Sequence, residues 1–482
     1  MLKKSMKKSI FILLLAVSTL FVGCFEDRDD TIVSASASEI NDFIYRGLNF
    51  FYLYKTDTPE LADDFFPSND DYQNFLNGFE TPEDCFGYLK SNQDRFSILV
   101  DDYIALENSL AGTFTTNGME FGLVRYPDGS NNVFGYARYI LPNTDASAQG
   151  LERGLIFNTL NGEQLQGFED VSGTFLFDSS IFNPETYTIG LATYDGTNVT
   201  PTGESVTLTK AEYTEDPIFV TQTFDVNGEK VGYLMYNAFT SGFDSELNAV
   251  FGSFASEGVT VLVLDLRYNS GGSVRSSTYL SSMITGQFTG QTYYTEQWNP
   301  DRQEEYANDG TFVNSFVNGG ESINSLNLNK VYVLTTSRTA SASELVINGL
   351  DPYIDVVQIG TNTTGKFQAS FLLYDAPAPN FSRAEANPNH TYAMLPLVFQ
   401  TANASGFTNF IDGLVPDIEL REDFSNLGVL GNENETLLAA ALAEIAGNPM
   451  PVPDNFLSLQ EVSESKANQP TYQRMVVTFE DR

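Results

Sequence analysis

The run Val261-Leu262-Val263-Leu264 is continuously apolar, and Asp265-Leu266-Arg267-Tyr268-Asn269-Ser270-Gly271-Gly272 follows it directly. Four consecutive aliphatic residues predict a buried strand, and the glycine pair predicts a sharp turn at its carboxyl end. In open α/β sheets that end is where ligands bind. A plain strand-to-helix turn is the alternative reading of the two glycines. The surrounding order fits such a sheet. A hairpin turning at Asn227-Gly228, a dipeptide that accepts the positive φ angles of a type I′ turn, leads into a strand-like stretch from Gly232 to Phe239. Helical spacing follows through Leu247, Val250, Phe251 and Phe254, then the apolar strand, a helix over 274–285, a strand over 330–335 and a helix from Ser341. This is an alternating α/β pattern.

Ser341-Ala342-Ser343-Glu344 stands directly before the apolar positions Leu345, Val346, Ile347 and Leu350. Ser341 is therefore expected at a helix entrance, where free backbone N–H groups and the positive end of the helix dipole favour a developing oxyanion. Ser341 with Glu344 three positions later is equally a capping box. Lys366 follows Thr363-Thr364-Gly365 and can reach back if its loop packs over the helix entrance. A lysine serves as base to a serine only when desolvation lowers its pKa, whereas most lysines are solvated. The amides of Ala342 and of Gly271 or Gly272 are candidate oxyanion donors.

The segments DLRYNSGG at 265–272, SASE at 341–344 and the Gly365-Lys366 pair resemble the carboxy-terminal processing (tail-specific) serine peptidases, which use a Ser/Lys dyad. The spacing from Ser341 to Lys366 also fits that family. The resemblance implies a multidomain α/β (α+β) chain with a peptidase core of the crotonase-like type. It implies Ser341 as nucleophile, Lys366 as general base, and Ala342 with Gly271 or Gly272 as oxyanion donors. Many members place a glutamine four residues after the lysine to orient it. Here that position is Ser370, so Ser370 is the expected orienter of Lys366, with Gln368, the nearest glutamine, as the alternative. Residues 112–216 resemble a PDZ-like module, with Phe121-Gly122-Leu123-Val124 in place of the loop that receives a peptide carboxylate, and Ala146 to Leu151 as its short helix. Such a module adds an extended peptide to a sheet edge.

The amino terminus implies export. Lys3, Lys4, Lys7 and Lys8 precede an apolar stretch from Ile10 to Val22, too short for a good membrane span. Leu20-Phe21-Val22-Gly23-Cys24 resembles a bacterial lipobox, implying a signal peptide over 1–23, lipidation of Cys24, and an anchored lipoprotein of the cell envelope, on the periplasmic or surface face of the outer membrane. Residues 24–38 are the tether, 39–111 a helical domain with Phe43, Leu48, Phe51 and Tyr52 as core, 217–448 the peptidase core, and 449–482 a poorly ordered tail.

Composition narrows the chemistry. With 25 Lys+Arg against 63 Asp+Glu, the net charge of −38 argues against a nucleic-acid partner. The single histidine, His390, excludes a site of several histidines that cysteine pairs cannot replace, and no Walker loop or dinucleotide fingerprint appears, so no metal and no cofactor is expected. A Ser-His-Asp triad would need His390, which lies in a turn-forming stretch. The expected partner is a polypeptide substrate. The rival reading is a catalytically inactive peptide-binding surface lipoprotein of the same fold.

Overall fold

A computed structural model describes residues 35–306, 310–317, 323–450 and 459–477. The lipobox and Cys24 lie outside the described residues.

The apolar run forms the strand Val261–Asp265, central in a six-stranded sheet. The sheet order is Ile218–Val226, Glu229–Tyr236, Val261–Asp265, Lys330–Thr335, Asp355–Gly360 and Ile418–Glu419. The first pair is the antiparallel hairpin, turning at Asn227 (φ 50°) and Gly228 (φ 90°), and the remaining pairings are parallel. Alternation across the pleat explains why the run is apolar throughout. Leu262 and Leu264 point into one core with the helices Asp244–Glu257, Val274–Thr285 and Ala342–Leu350, whereas Val263 faces the helix Thr436–Ile445. Burial of each such aliphatic side chain contributes about 1.5–3 kcal/mol.

The amino-terminal helix Ala37–Phe51 starts at a reciprocal capping box between Ser36 and Glu39. Its face of Ile40, Phe43, Ile44, Leu48 and Phe51 packs into the same core as Phe371, Leu373 and Met394, so the helical region and the α/β core share one apolar interior. Gly47 lies so close to Met394 that an added Cβ would meet its methyl carbon at 2.0 Å.

Two expectations are corrected. Phe121 to Val124 do not form a loop: they are the interior of the strand Met119–Arg125, with Phe121, Leu123 and Val124 buried. Alternating contact with two apolar clusters holds them in the sheet. The region after 448 is not simply a loose tail either. Glu461–Glu464 adds antiparallel to Met119–Arg125, and Met475–Val477 inserts parallel between Gly272–Ser273 and Gln368–Phe371 in a second six-stranded sheet. The otherwise open edge of each strand supplies main-chain hydrogen bonds that composition does not reveal.

Candidate active site

The helix Ala342–Leu350 begins where expected, and Ser341 precedes it with φ 68° and ψ −117°. Positive φ is costly for a residue with a Cβ, about 1–3 kcal/mol, and such strain concentrates at functional positions. The capping box is half made. Glu344 accepts from the Ser341 N–H at 2.7 Å, whereas the buried Ser341 hydroxyl has no hydrogen-bond partner among the described residues. The hydroxyl is thereby left free for chemistry.

Glu344 does more than cap. Its carboxylate also accepts from the Lys366 N–H at 2.9 Å, the Gly365 N–H at 2.7 Å and the Thr363 hydroxyl at 2.5 Å. One carboxylate oxygen therefore receives the amides of both Ser341 and Lys366, setting the two residues side by side. Burial lifts the Glu344 carboxyl above the ordinary range against the pull of these hydrogen bonds.

Lys366 is fully buried. Burial, helped by the nearby Arg474 cation, pushes its pKa well below the usual lysine value, against the opposing pull of Glu344 and Asp94. Its ammonium nitrogen lies 5.3 Å from the centre of the Phe96 ring and donates to the main-chain carbonyl of Gln368. That contact corrects the expected orienting role. The Ser370 hydroxyl is buried without a hydrogen-bond partner among the described residues, and the Gln368 side chain donates to Tyr54 at 3.1 Å. Backbone, not either side chain, holds the lysine.

The glycine turn is fixed from both sides. Asn269 donates to the Tyr236 carbonyl at 2.8 Å, while its own carbonyl accepts from the Ala340 N–H at 3.1 Å. Its side-chain oxygen accepts from the Gly271 N–H at 2.9 Å, so that amide is already committed and drops out as an oxyanion donor. The Gly272 N–H instead points at the Arg474 carbonyl, 2.8 Å away. Ala342, the first helical residue, has no intrahelical acceptor for its N–H. Ala342 and Gly272 remain the candidate donors, the Gly272 amide becoming available only when the Arg474 carbonyl leaves it. Gly272 has φ 134°, and a Cβ there would meet the Phe239 carbonyl oxygen at 2.3 Å, so only glycine fits.

Sequence reading missed the support beneath this turn. Arg267 is fully buried, paired with Asp265 at 2.8 Å, Glu435 at 2.6 Å and Glu422 at 3.2 Å. Glu422 also accepts from Tyr268 at 2.6 Å and from Arg153 at 2.7 Å, which ties the middle module to the turn. The alternating charges of Asp265 and Arg267 at a strand end were the available signal. His390 stands apart from this cluster. One ring nitrogen contacts Asp375 at 3.0 Å and the other accepts from the Tyr392 N–H at 3.0 Å, so both are engaged and no contact joins the ring to Ser341. Among the described residues no group of histidine, cysteine and acidic side chains could hold a metal ion.

Residues 230–375, which contain the glycine turn, Ser341 and Lys366, match peptidase family S41, and residues 39–98 match the peptidase S41 N-terminal domain. Two segments of the chain, one of them holding the candidate site, thus match domains of peptidase family S41. It is 25% identical over 244 residues to a carboxyl-terminal-processing protease of Picosynechococcus, covering 49% of this chain. The match spans 51% of that relative, about half its length. A Bacteroides fragilis crystal structure assigned as an S41 protease is 27% identical, with a TM-score of 0.60 over 84% of this chain and 97% of its own. The photosystem II D1 C-terminal processing protease, at 17% identity and a TM-score of 0.50, shares the fold over 86% of this chain and 100% of its own.

Proposed function

We propose that this S41 chain is a serine endopeptidase that hydrolyses exported proteins or peptides through Ser341 and Lys366. The observation that carries the reading is the joint fixing of Ser341 and Lys366 by Glu344, with a free hydroxyl on one and a fully buried amine on the other. Neutral Lys366 takes the Ser341 proton as Oγ attacks the peptide carbonyl carbon. The N–H groups of Gly272 and Ala342 hold the resulting oxyanion. The lysine ammonium returns the proton to the departing amine, and water then releases the acyl group. The lysine contact to the Gln368 carbonyl gives way to the serine when substrate is seated, since catalytic hydrogen bonds often tighten only in the complex.

The middle module, read as PDZ-like, would offer the edge of Met119–Arg125 to an extended peptide once Glu461–Glu464, which covers it, has left. The lysine-rich start, the apolar stretch to Val22 and the lipobox at Cys24 support export and lipid anchoring in a bacterial cell envelope. A fluorophosphonate probe should label the wild-type protein at Ser341, and Ser341→Ala should lose both labelling and turnover. Because the hydroxyl bonds to no group among the described residues, that variant should unfold at the wild-type temperature. A folded, unlabelled wild-type protein would support the inactive binder. Metabolic labelling with a fatty-acid analogue should mark the wild type and spare Cys24→Ala, and equal labelling would remove the anchor.

A further inference from the structure

The segment 460–477 runs along the middle module and ends against the catalytic turn. Without it, Met119–Arg125 would be an edge strand. Main-chain bonds fasten the segment there: the Arg125 N–H donates to the Gln460 carbonyl at 2.9 Å, and the Ser465 N–H to the Phe121 carbonyl at 3.0 Å. Two arginines then read its side chains. Arg138, from the middle module, donates to Glu464 and, at 3.2 Å, to Glu461. Arg338, three residues before the nucleophile, donates to Glu464 at 2.8 Å and to Glu461 at 3.1 Å. Both arginines are buried or nearly so, so the two carboxylates of Glu461-Val462-Ser463-Glu464 fill a cationic pocket shared between the modules.

Beyond the pocket the segment reaches the active site itself. Tyr472 and Arg474 line a cleft of about 280 Å³ together with Phe239, Ser270, Gly271 and Gly272. The Arg474 carbonyl takes the Gly272 N–H. It shares the space over Gly271 with the nucleophile: a Cβ built on that glycine would lie 2.7 Å from the Arg474 oxygen and 2.9 Å from Ser341 Oγ. The Arg474 carbonyl thus holds the Gly272 amide beside the nucleophile, and while it stays that amide cannot serve another carbonyl.

We propose that the edge of Met119–Arg125, Arg138 and Arg338 form a binding site for an extended acidic peptide with two glutamates three residues apart, leading into the active site, and that residues 460–474 are its resident, displaceable occupant, tethered by the buried strand Met475–Val477. The placement of this channel at the reacting centre rests on the peptidase reading above. The tail is held at its start mainly by main-chain bonds and ion pairs, and a peptide of the same chemistry offers the same partners in trans.

The Ser463 and Ser179 hydroxyls touch, so cysteines there can lock the tail in place. Native Cys85 is buried with its thiol pushed up to about 12 by burial, which keeps it out of exchange. In Ser341→Ala protein carrying Ser179→Cys and Ser463→Cys, a fluorescent peptide with the sequence of residues 459–474 should bind the reduced form and bind the oxidised form at least tenfold more weakly. The same peptide with glutamine at both glutamate positions should bind the reduced form at least tenfold more weakly than the acidic one. As a second variant, Glu461→Gln with Glu464→Gln in the chain should loosen the tail and tighten capture of the acidic peptide. Equal binding in the two redox states, equal binding of the two peptides, absent binding to the reduced protein, or unchanged capture by the second variant would each overturn the proposal. These readouts need no turnover. A protein that binds as expected yet never hydrolyses peptide with Ser341 restored would refute the peptidase reading alone.

Discussion

Glu344→Gln tests whether one carboxylate assembles the site. The substitution keeps size and removes one acceptor. In its better orientation the glutamine oxygen stays on the amides of Ser341 and Lys366, and the NH₂ group faces Gly365 and Thr363. The Thr363 hydroxyl can rotate to accept. The Gly365 N–H cannot, and a buried donor left without an acceptor costs about 1–3 kcal/mol. The two retained bonds also lose their charge-assisted strength, about 1 kcal/mol each. Against this loss stands the relief of removing a carboxyl whose pKa burial has raised. A net destabilisation of about 1–3 kcal/mol follows. Glu344→Ala orphans all the donors and should cost more. Activity should fall further than stability, by about a hundredfold in kcat, because a displacement of about 1 Å between nucleophile and base has that effect. Thermal unfolding and turnover of an unfolded protein substrate measure the two quantities separately. Wild-type kcat in Glu344→Gln, or equal stability of the glutamine and alanine variants, would refute this account.

The remaining prediction concerns the base. Activity should rise with pH as Lys366 loses its proton, and Lys366→Arg should be nearly inactive because guanidinium stays charged. Linkage gives a stability counterpart. The folded-state pKa lies below the unfolded value, so between the two the unfolded chain binds more protons, and stability climbs with pH across that window up to about 10.4. The groups facing the amine are Arg474, Glu344 and Asp94, of which only Arg474 adds to the lowering. Lys366→Met should therefore be inactive yet more stable than wild type near neutral pH, with an advantage that shrinks as the pH approaches 10.4. A less stable Lys366→Met would refute the burial penalty. Gln368→Ala is the control: it keeps the carbonyl that holds the lysine and loses only the Tyr54 contact, so its pH profile should match wild type.

Much of the core was legible because its signals are local. The apolar run 261–264 reads as a buried strand because each face of that strand meets a helix layer, so neither set of alternating residues can be polar. Phe43, Leu48, Phe51 and Tyr52 mark the buried face of the first helix through spacing alone. Ser341 and Lys366 could be paired because a helix entrance and a glycine loop both leave a trace in a few neighbouring residues.

What escaped was set by main-chain groups and by distant partners. Gly271 and Gly272 look interchangeable as letters, yet the Asn269 side chain takes the amide of the first, so the donor falls to the second. Glu344 reads as a cap because three of its partners lie 19 to 22 residues further on. The tail reads as loose because its short strands carry little apolar periodicity. Their pairing comes instead from two open sheet edges and from Arg138 and Arg338, more than a hundred residues away. The consequences are chemical as well as architectural. In the proposed mechanism each unread partner controls an atom the reaction would use: Asn269 decides which amide would face the oxyanion, the Gln368 carbonyl where the base would rest, and Arg474 whether the Gly272 amide is free. A Ser/Lys motif therefore locates the reacting groups, while their readiness depends on contacts formed only after the sheets have closed around them.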